Sequence, residues 1–170
     1  MIVSVYFTSD LHLGHRLASE KRGFKSIDEH DAAVIESILS VDNKRAMIWV
    51  LGDVAMKKES LNKLSVLKSR LKMVMGNHDQ YELSLYLNYF AEVKGFLKYK
   101  NLWLSHCPIH PQEMYRCKAN VHGHIHKGTE SDELEYPYIN VNWDFWQRPV
   151  SINEIKEMIV NANPELLNEA

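Results

Sequence analysis

Five apolar, β-rich runs in this chain each lead directly into a short polar segment that carries aspartate, asparagine or histidine. Because parallel strands deliver the residues that follow them to one edge of a sheet, these polar segments are expected to meet there. The pattern predicts an α/β fold with its functional residues at that edge. The runs are 2–7, 47–51, 71–75, 102–104 and 119–121, and the polar segments are 10–12, 52–53, 76–79, 105–106 and 123–126.

The side chains of these five segments are of the types that bind divalent metal ions. Five of the 9 histidines of the chain lie in them, together with Asp10, Asp53 and Asn77. Carboxylate oxygens, amide oxygens and neutral imidazoles are ligands of hard and borderline cations, and a pair of such ions needs about seven of them with one carboxylate shared. The candidate ligands therefore suit a pair of metal ions.

The order of the segments resembles that of the calcineurin-like metallophosphoesterases, in which Asp-x-His, Gly-Asp, Gly-Asn-His-Asp, His and Gly-His-x-His blocks follow one another. One block alone is weak evidence, since Gly-Asp recurs by chance, but five blocks in order are highly specific. The resemblance covers residues 2–126, about three-quarters of the chain, and includes small single-domain phage and bacterial members. It implies a four-layered α/β/β/α sandwich with two mixed sheets and flanking helices.

The resemblance also implies a role for each metal ligand. A carboxylate has two oxygens and can bind two cations, so the residue type itself supports a bridging role for Asp53. The implied cofactors are two divalent metal ions, with Mn²⁺ expected first and Fe, Zn²⁺ or Ni²⁺ as alternatives. The implied ligands are Asp10, His12 and His126 for one ion, Asn77, His106 and His124 for the other, and Asp53 for both.

The Gly-Asn-His-Asp block supplies the expected catalytic residues. In the family its histidine faces the leaving group, so the resemblance implies that His78 is the general acid. Asp79 is expected to accept a hydrogen bond from the His78 ring and to favour the protonated imidazolium. The nucleophile would be a hydroxide that bridges the two metal ions. The alternative is that His78 is only a turn residue at the end of a strand.

The stretch after the first ligand pair is basic and glycine-containing. We expect His15 and Arg22 in this stretch to bind the phosphate of the substrate, and the Arg-Gly-Phe sequence at 22–24 is similar to that of small members of the superfamily. A solvated loop face is the alternative. The basic residues are Arg16, Lys21, Arg22 and Lys25.

Length and composition indicate one domain. A chain of 170 residues can build one well-buried core, and we place the domain at 1–161 with a C-terminal tail at 162–170. A formal charge of −2 gives no global attraction for nucleic acid. The chain shows no signal-peptide pattern and no apolar run of membrane-spanning length, so a cytoplasmic location without membrane contact is expected.

Local signals predict the remaining helices and strands. Capping boxes at 26–29 and 151–154 predict two helix starts. Strand-like runs near 92–99, 102–105, 119–122 and 138–141 predict a second, more antiparallel sheet. The apolar residues expected to face inward are Val34, Ile35, Ile38 and Leu39 in the first helix, Leu61, Leu64 and Leu67 in a helix from about 59, and Ile152, Ile155, Met158 and Ile159 in the last helix.

The other histidines and the two cysteines are expected outside the site. His30 is predicted to face solvent in the first turn of a helix, and His110 to be a plain loop residue. Strand alternation is expected to turn His122 and Cys107 away from the neighbouring ligands. Cys107 and Cys117 show no Cys-x-x-Cys spacing, which favours reduced thiols.

The sequence therefore predicts a metal-dependent phosphoester hydrolase. A phosphodiesterase is expected rather than a phosphomonoesterase or protein phosphatase, because no segment between the ligand blocks is long enough to form a cap. A non-catalytic interaction module or a repair nuclease is the alternative, although no ligand is missing and 170 residues leave no room for further nuclease domains. The expected partner is a phosphoester substrate, and the sequence does not distinguish a nucleotide or nucleic-acid derived substrate from a protein phosphate. Core packing is preferred over base stacking for Trp143, Phe145 and Trp146. The oligomeric state is left open.

Overall fold

The computed structural model describes residues 3–129 and 135–164. The strands are β1 (Ser4–Thr8), β2 (Ala46–Leu51), β3 (Arg70–Val74), β4 (Val93–Lys94), β5 (Leu97–Tyr99), β6 (Leu102–Leu104), β7 (Ala119–His122), β8 (Tyr138–Asn140) and β9 (Val150–Ser151). The helices are α1 (Arg16–Lys21), α2 (Ile27–Leu39), α3 (Leu83–Tyr86), α4 (Trp143–Trp146) and α5 (Ile152–Ala162), with 3₁₀ helices at Lys58–Val66 and Pro111–Met114.

The first sheet has the strand order β4-β3-β2-β1-β9. Strands β1 to β4 pair in parallel, and β9 runs antiparallel to β1 at the edge. The central strand β2 reads Ala-Met-Ile-Trp-Val-Leu and is buried along almost its whole length, as expected for a parallel strand covered on both faces. Three of the polar segments therefore leave the same edge of this sheet.

The second sheet has the order β5-β6-β7-β8, in which β6, β7 and β8 are parallel and β5 alone is antiparallel. The expectation of a more antiparallel sheet was wrong, because the long connections after β6 and β7 return the chain in the same direction. The predicted run at 92–99 is also divided. Gly95 and Phe96 form a bend, so that β4 joins the first sheet and β5 the second.

Two apolar clusters hold the layers together. The first cluster packs α2 and the Lys58–Val66 helix on the outer face of the first sheet, and the second fills the space between the sheets and includes Ile155 and Ile159 of α5. The predicted sandwich of two mixed sheets with flanking helices is confirmed. Leu39 was wrongly expected inside, since it lies at the end of α2 and is 44% exposed.

Several local expectations are modified. The predicted helix from about 59 is a 3₁₀ helix at Lys58–Val66, which still buries Leu61 and Leu64. The basic stretch after Leu13 contains the short helix α1. Helix α5 ends at Ala162, and residues 165–170 of the predicted tail lie outside the described residues. In residues 3–129 and 135–164, no helix combines the length and apolarity needed to cross a membrane.

Candidate metal centre

The polar segments converge at the carboxyl ends of strands from both sheets. The segment after β1 pairs with the segment after β2 through backbone hydrogen bonds, from Asp10 N to Gly52 O and from His12 N to Asp53 O, each 3.0 Å. The segment after β7 is joined to them because His124 N donates to Asp10 Oδ2 at 2.9 Å. Hydrogen bonds among the segments thus fix the ligands before any metal ion binds.

Four of the predicted ligands have left-handed backbone conformations. The φ angles are 55° for Asp10, 50° for His12, 54° for Asp53 and 67° for His124. Such angles are uncommon for residues other than glycine, and they cluster at functional sites, where surrounding structure maintains them. Each of these residues turns the chain sharply at a strand end, which directs its side chain into the shared site.

The motif glycines allow the segments to approach closely. A Cβ atom added to Gly52 would collide with His106 Nδ1 and with Gly76, and one added to Gly123 would collide with Ser9 and Asp10. These contacts join the first sheet to the second. Glycine is therefore required here by the close approach of neighbouring segments.

The first candidate ligand set groups Asp10, His12 and His126, the ligands expected for one ion. His12 Nε2 lies 3.2 Å from His126 Nε2, and Asp10 Oδ1 lies 3.8 Å and 3.6 Å from these two nitrogens. Burial lowers the pKa of His12 to about 2, so its imidazole is neutral and can act as a ligand. Asp53 Oδ2 completes the set at 4.0 Å from His12 Nε2.

The second ligand set consists of Asn77, His106 and His124. His106 Nε2 lies 2.9 Å from Asn77 Oδ1, and His124 Nδ1 lies 3.0 Å from the same oxygen. Asp53 Oδ1 is 3.5 Å from His106 Nε2, while its other oxygen belongs to the first set. The carboxylate of Asp53 therefore lies between the two sets, in the position required of a bridging ligand.

One buried oxygen and one tautomer show that these sets suit cations. Asp10 Oδ1 is buried without a hydrogen-bond partner and faces the ligand nitrogens of His12 and His126. His106 Nδ1 lies 2.8 Å from the Leu51 carbonyl, which can only accept, so the proton is on Nδ1 and a lone pair points from Nε2 toward Asn77 Oδ1. Facing acceptor atoms are stabilised by a cation between them. The residues present therefore fit a pair of metal ions.

Cys107 lies closer to the site than expected. Its Sγ and the ligand nitrogens of His106 and His124 all lie within 4.8 Å of one another. The expectation that Cys107 faces away was wrong, because β6 ends at Leu104 and strand alternation no longer applies three residues later. Burial, together with the charges of Asp53 and Asp10, raises the pKa of its thiol.

His78 lies at the exposed side of the centre. Its side chain is 49% exposed, and its Nε2 is 4.0 Å from Asp53 Oδ2. Its ring lies edge-on to that of His12, with 6.0 Å between the centroids. Its backbone N–H donates to Asp53 Oδ1 at 2.9 Å. The side chain thus lies beside the metal ligands and faces solvent, where a substrate would enter.

Asp79 was expected to accept a hydrogen bond from the His78 ring, but its carboxylate accepts from backbone N–H groups instead. Its Oδ2 accepts hydrogen bonds from the backbone N–H groups of Asp53 at 2.7 Å and Gly76 at 2.8 Å, and its Oδ1 accepts from Val54 at 3.0 Å. Burial raises its pKa to about 6, although these backbone donors oppose the shift. Its structural effect is to join the segments that follow β2 and β3.

We expect Asp79→Asn to lower stability because an amide group can accept on only one of its two terminal atoms. At least one buried backbone N–H then loses its acceptor, which costs about 1–3 kcal/mol. Urea unfolding of the EDTA-treated protein, followed by circular dichroism, measures this loss without a contribution from metal binding. An unchanged unfolding midpoint would contradict the structural role.

His15 lines the groove next to the metal centre. It is the N-cap of α1, and its Nδ1 accepts a hydrogen bond from Ala18 N at 3.3 Å. Burial lowers its pKa, so the ring is neutral and carries its proton on Nε2. Its ring centroid is 5.5 Å from that of His12. His15 is therefore placed to offer one N–H donor to a ligand in the groove.

The Arg22 side chain lies behind the ligands and is only 7% exposed. Its guanidinium donates to the carbonyl oxygens of Asp10 at 2.7 Å and Leu11 at 3.2 Å, and to Asp144 Oδ1 at 2.7 Å. It also contacts His30 Nε2 at 2.7 Å. The guanidinium is thus occupied by protein partners, which differs from the expected phosphate contact.

Sequence reasoning missed two functional neighbours of the centre. Asp144 Oδ2 accepts from His126 Nδ1 at 2.7 Å. Burial alone would raise the pKa of Asp144, but the bond from His126 and the charge of Arg22 lower it to about 2. His30 was wrongly expected in solvent, since it is fully buried and bonded to Asp31. The sequence offers no local signal for Asp144, because its partners His126 and Arg22 are 18 and 122 positions away along the chain.

The other candidate residues lie outside the ligand sets. His110 caps the Pro111–Met114 helix and is exposed. His122 is buried with its Nδ1 on Gly123 O, and burial lowers its pKa to about 4. The expectation of a packing role for Trp143 is confirmed, because it is 4% exposed and belongs to the first apolar cluster.

A groove of about 560 Å³ runs from the metal centre along α1. His12, His78 and His126 form its inner end, and Lys21 and Lys127 are among its outer residues. The groove has room for a group larger than one phosphate. The candidate metal ligands at the inner end and the lysine side chains farther out suit an anionic substrate.

Comparison with known proteins agrees with this geometry. The gene 66 proteins of mycobacteriophages L5 and D29 are each 27% identical to this chain; the matches cover 95% and 92% of this chain and 97% and 96% of those proteins. The crystal structure of AQ665 from Aquifex aeolicus, a protein of unknown function, is similar with a TM-score of 0.72 and 28% identity, over 92% of this chain and 100% of that one. The family model of the calcineurin-like phosphoesterase superfamily domain matches residues 3–141. With both ligand sets in place, the chain belongs to the calcineurin-like phosphoesterase superfamily.

Proposed function

We propose that this protein is a phosphodiesterase that uses two divalent metal ions, with Mn²⁺ as the first candidate metal. Membership of the superfamily implies metal-dependent phosphoester hydrolysis. The observation that carries the proposal is the pair of ligand sets joined by Asp53, whose two oxygens face different histidines. Two ions bound there would polarise the phosphoryl group and activate a water molecule for in-line attack.

Three residues of the chain have further roles in the proposed reaction. His78, beside Asp53 and open to the groove, protonates the leaving oxygen as general acid. His15 donates its Nε2–H to a phosphate oxygen. Asp79 maintains the geometry of the segments that carry Asp53 and His78, through the backbone bonds that it accepts.

The groove supports the preference for diesters. A diester carries a second substituent, which has space along α1 beside Ala18 and Lys21. A monoester dianion needs more positive charge around it than a diester monoanion does. Arg22, the cation expected to supply that charge, is paired with Asp144 and backbone carbonyls instead. Lys21 and Lys127 suit a second substituent that is itself anionic, as in a nucleotide or nucleic-acid derived substrate.

We expect the Mn²⁺-loaded protein to hydrolyse bis-p-nitrophenyl phosphate with a kcat/KM at least about tenfold above that for p-nitrophenyl phosphate, which corresponds to about 1.4 kcal/mol in transition-state stabilisation. Parallel assays with Fe²⁺, Zn²⁺ and Ni²⁺ test the metal preference. A kcat/KM that favours the monoester would overturn the diesterase proposal and support a phosphomonoesterase. Lack of hydrolysis of either ester with every metal would support a non-catalytic interaction module.

Lys21→Ala tests the path of the second substituent. This change is expected to raise KM for a dinucleotide substrate and to leave bis-p-nitrophenyl phosphate little affected, since the nitrophenyl group is uncharged. Lys25→Ala is the matched control, because Lys25 is exposed and its side chain is outside the residues that line the groove. Equal effects of the two variants on KM would argue against binding of the second ester substituent along α1.

A further inference from the structure

Arg22 is the centre of a buried polar network that extends from the metal ligands to α2. On one side its guanidinium bonds to the Asp10 carbonyl and to Asp144. On the other side it contacts His30 Nε2 at 2.7 Å, and His30 Nδ1 contacts Asp31 Oδ1 at 2.8 Å. Asp31 also accepts from Gly14 N at 2.9 Å and from Lys63 at 2.8 Å.

The donor and acceptor roles of the two histidines in this network follow from their partners. Arginine can only donate, so His30 Nε2 accepts from Arg22, and the proton of His30 is on Nδ1, where it bonds to Asp31. The Asp144 carboxylate accepts from Arg22 with one oxygen and from His126 Nδ1 with the other. His126 is thereby left with a lone pair on Nε2, directed toward Asp10 and His12.

We propose that Arg22 and Asp144 are positioning residues for the first ligand set, and that they determine its metal affinity. Asp144 fixes the tautomer and orientation of His126. Arg22 holds the Asp144 carboxylate and, through the carbonyls of Asp10 and Leu11, the strained backbone that carries Asp10. This inference rests on the proposed two-metal site.

The second ligand set is oriented by different groups, so the effect is selective. His106 is held by the Leu51 carbonyl, and the backbone beside Asn77 is held through Asp79. Within residues 3–129 and 135–164, Arg22 and Asp144 form no hydrogen bond to Asn77, His106 or His124. Loss of Arg22 or Asp144 is therefore expected to weaken the first metal site more than the second.

Asp144→Asn tests the inference because an amide cannot accept from both Arg22 and His126 on its two terminal atoms. In the metal-free variant we expect the imidazole ¹⁵N shifts of His126 to lose the pattern of a ring protonated on Nδ1 alone. In a Zn²⁺ titration followed by the histidine NMR signals, the affinity of the first set should fall about 10–100-fold, as is typical for residues behind a metal ligand. The signals of His106 and His124 should respond as in the unmodified protein.

Two further variants keep the outcome interpretable. Arg22→Lys retains the charge but not the planar guanidinium group. It should therefore lower the Zn²⁺ affinity of the first ligand set to a smaller extent than Asp144→Asn does. Glu154→Gln is the matched control, because Glu154 pairs with Arg148 at a helix start away from the site. A folded Asp144→Asn or Arg22→Lys protein with unchanged Zn²⁺ affinity and an unchanged His126 tautomer would overturn the inference. If the unmodified protein binds fewer than two Zn²⁺ ions, the two-metal function itself fails.

Discussion

Asp53→Asn is expected to weaken both metal sites at once and to abolish most of the hydrolytic activity. One oxygen of Asp53 faces His12 and the other faces His106, so the loss of one oxygen and of the negative charge affects both ligand sets. The affinity for each ion should fall more than about 100-fold, the upper limit typical for residues behind a ligand. Metal analysis after dialysis and isothermal titration with Mn²⁺ measure the loss.

The Asp53 substitution isolates the bridging role well. Asparagine tolerates the left-handed backbone that this position requires, so the change adds little strain. Asp42→Asn is the matched control, because the Asp42 carboxylate also accepts backbone hydrogen bonds, from Lys68 and Ser69, but in a distant turn. Two ions bound with normal affinity by the Asp53→Asn protein would contradict the binuclear assignment.

His78→Ala is expected to separate the chemical step from metal binding. The side chain lies beside Asp53 but outside both ligand sets, so the metal content should stay near normal. The rate on a diester with a poor leaving group should fall about 10²–10⁴-fold, the usual contribution of a general acid. The loss on bis-p-nitrophenyl phosphate should be smaller, because nitrophenolate leaves without full protonation.

The matched control for His78 is His110→Ala, which removes an exposed histidine that caps the Pro111–Met114 helix. It should leave the rates on both substrates unchanged. Equal losses on good and poor leaving groups in His78→Ala would remove the general-acid assignment. Loss of a metal ion from the same variant would make His78 a ligand.

The convergence of the candidate ligands could be predicted from sequence because each one lies in a short block directly after a strand. Asp10, Asp53 and His106 are reached within two residues of a strand end, so local pattern and strand order place them together. The helix starts at Ser26 and Ser151 were predictable for the same reason, since each serine caps a backbone N–H three residues away. The predicted capping box is complete at Ser151, whereas the Glu29 side chain accepts from Lys25 N and not from Ser26 N.

The groups that orient the ligands could not be predicted in this way. Asp144 and Arg22 are 122 positions apart, and their pairing depends on how the end of β8 meets the segment after β1. The basic composition of that segment favoured a phosphate contact for Arg22, whereas the buried carbonyls and carboxylate at its position bind the guanidinium. His30 was expected at the surface because its position in the first turn of α2 gives no sign that the buried Arg22 packs against it.

The glycine contacts between the two sheets divide the site into a part that resists evolutionary change and a part that tolerates it. A side chain at Gly52 or Gly123 would push apart segments that belong to different sheets, and with them the ligands on either side. These positions are thus as constrained as the ligands themselves. The groove wall along α1, with exposed residues such as Leu17 and Lys21, has no such constraint from the opposite sheet. Relatives with new substrate preferences should therefore differ along this wall while the metal-binding edge stays constant.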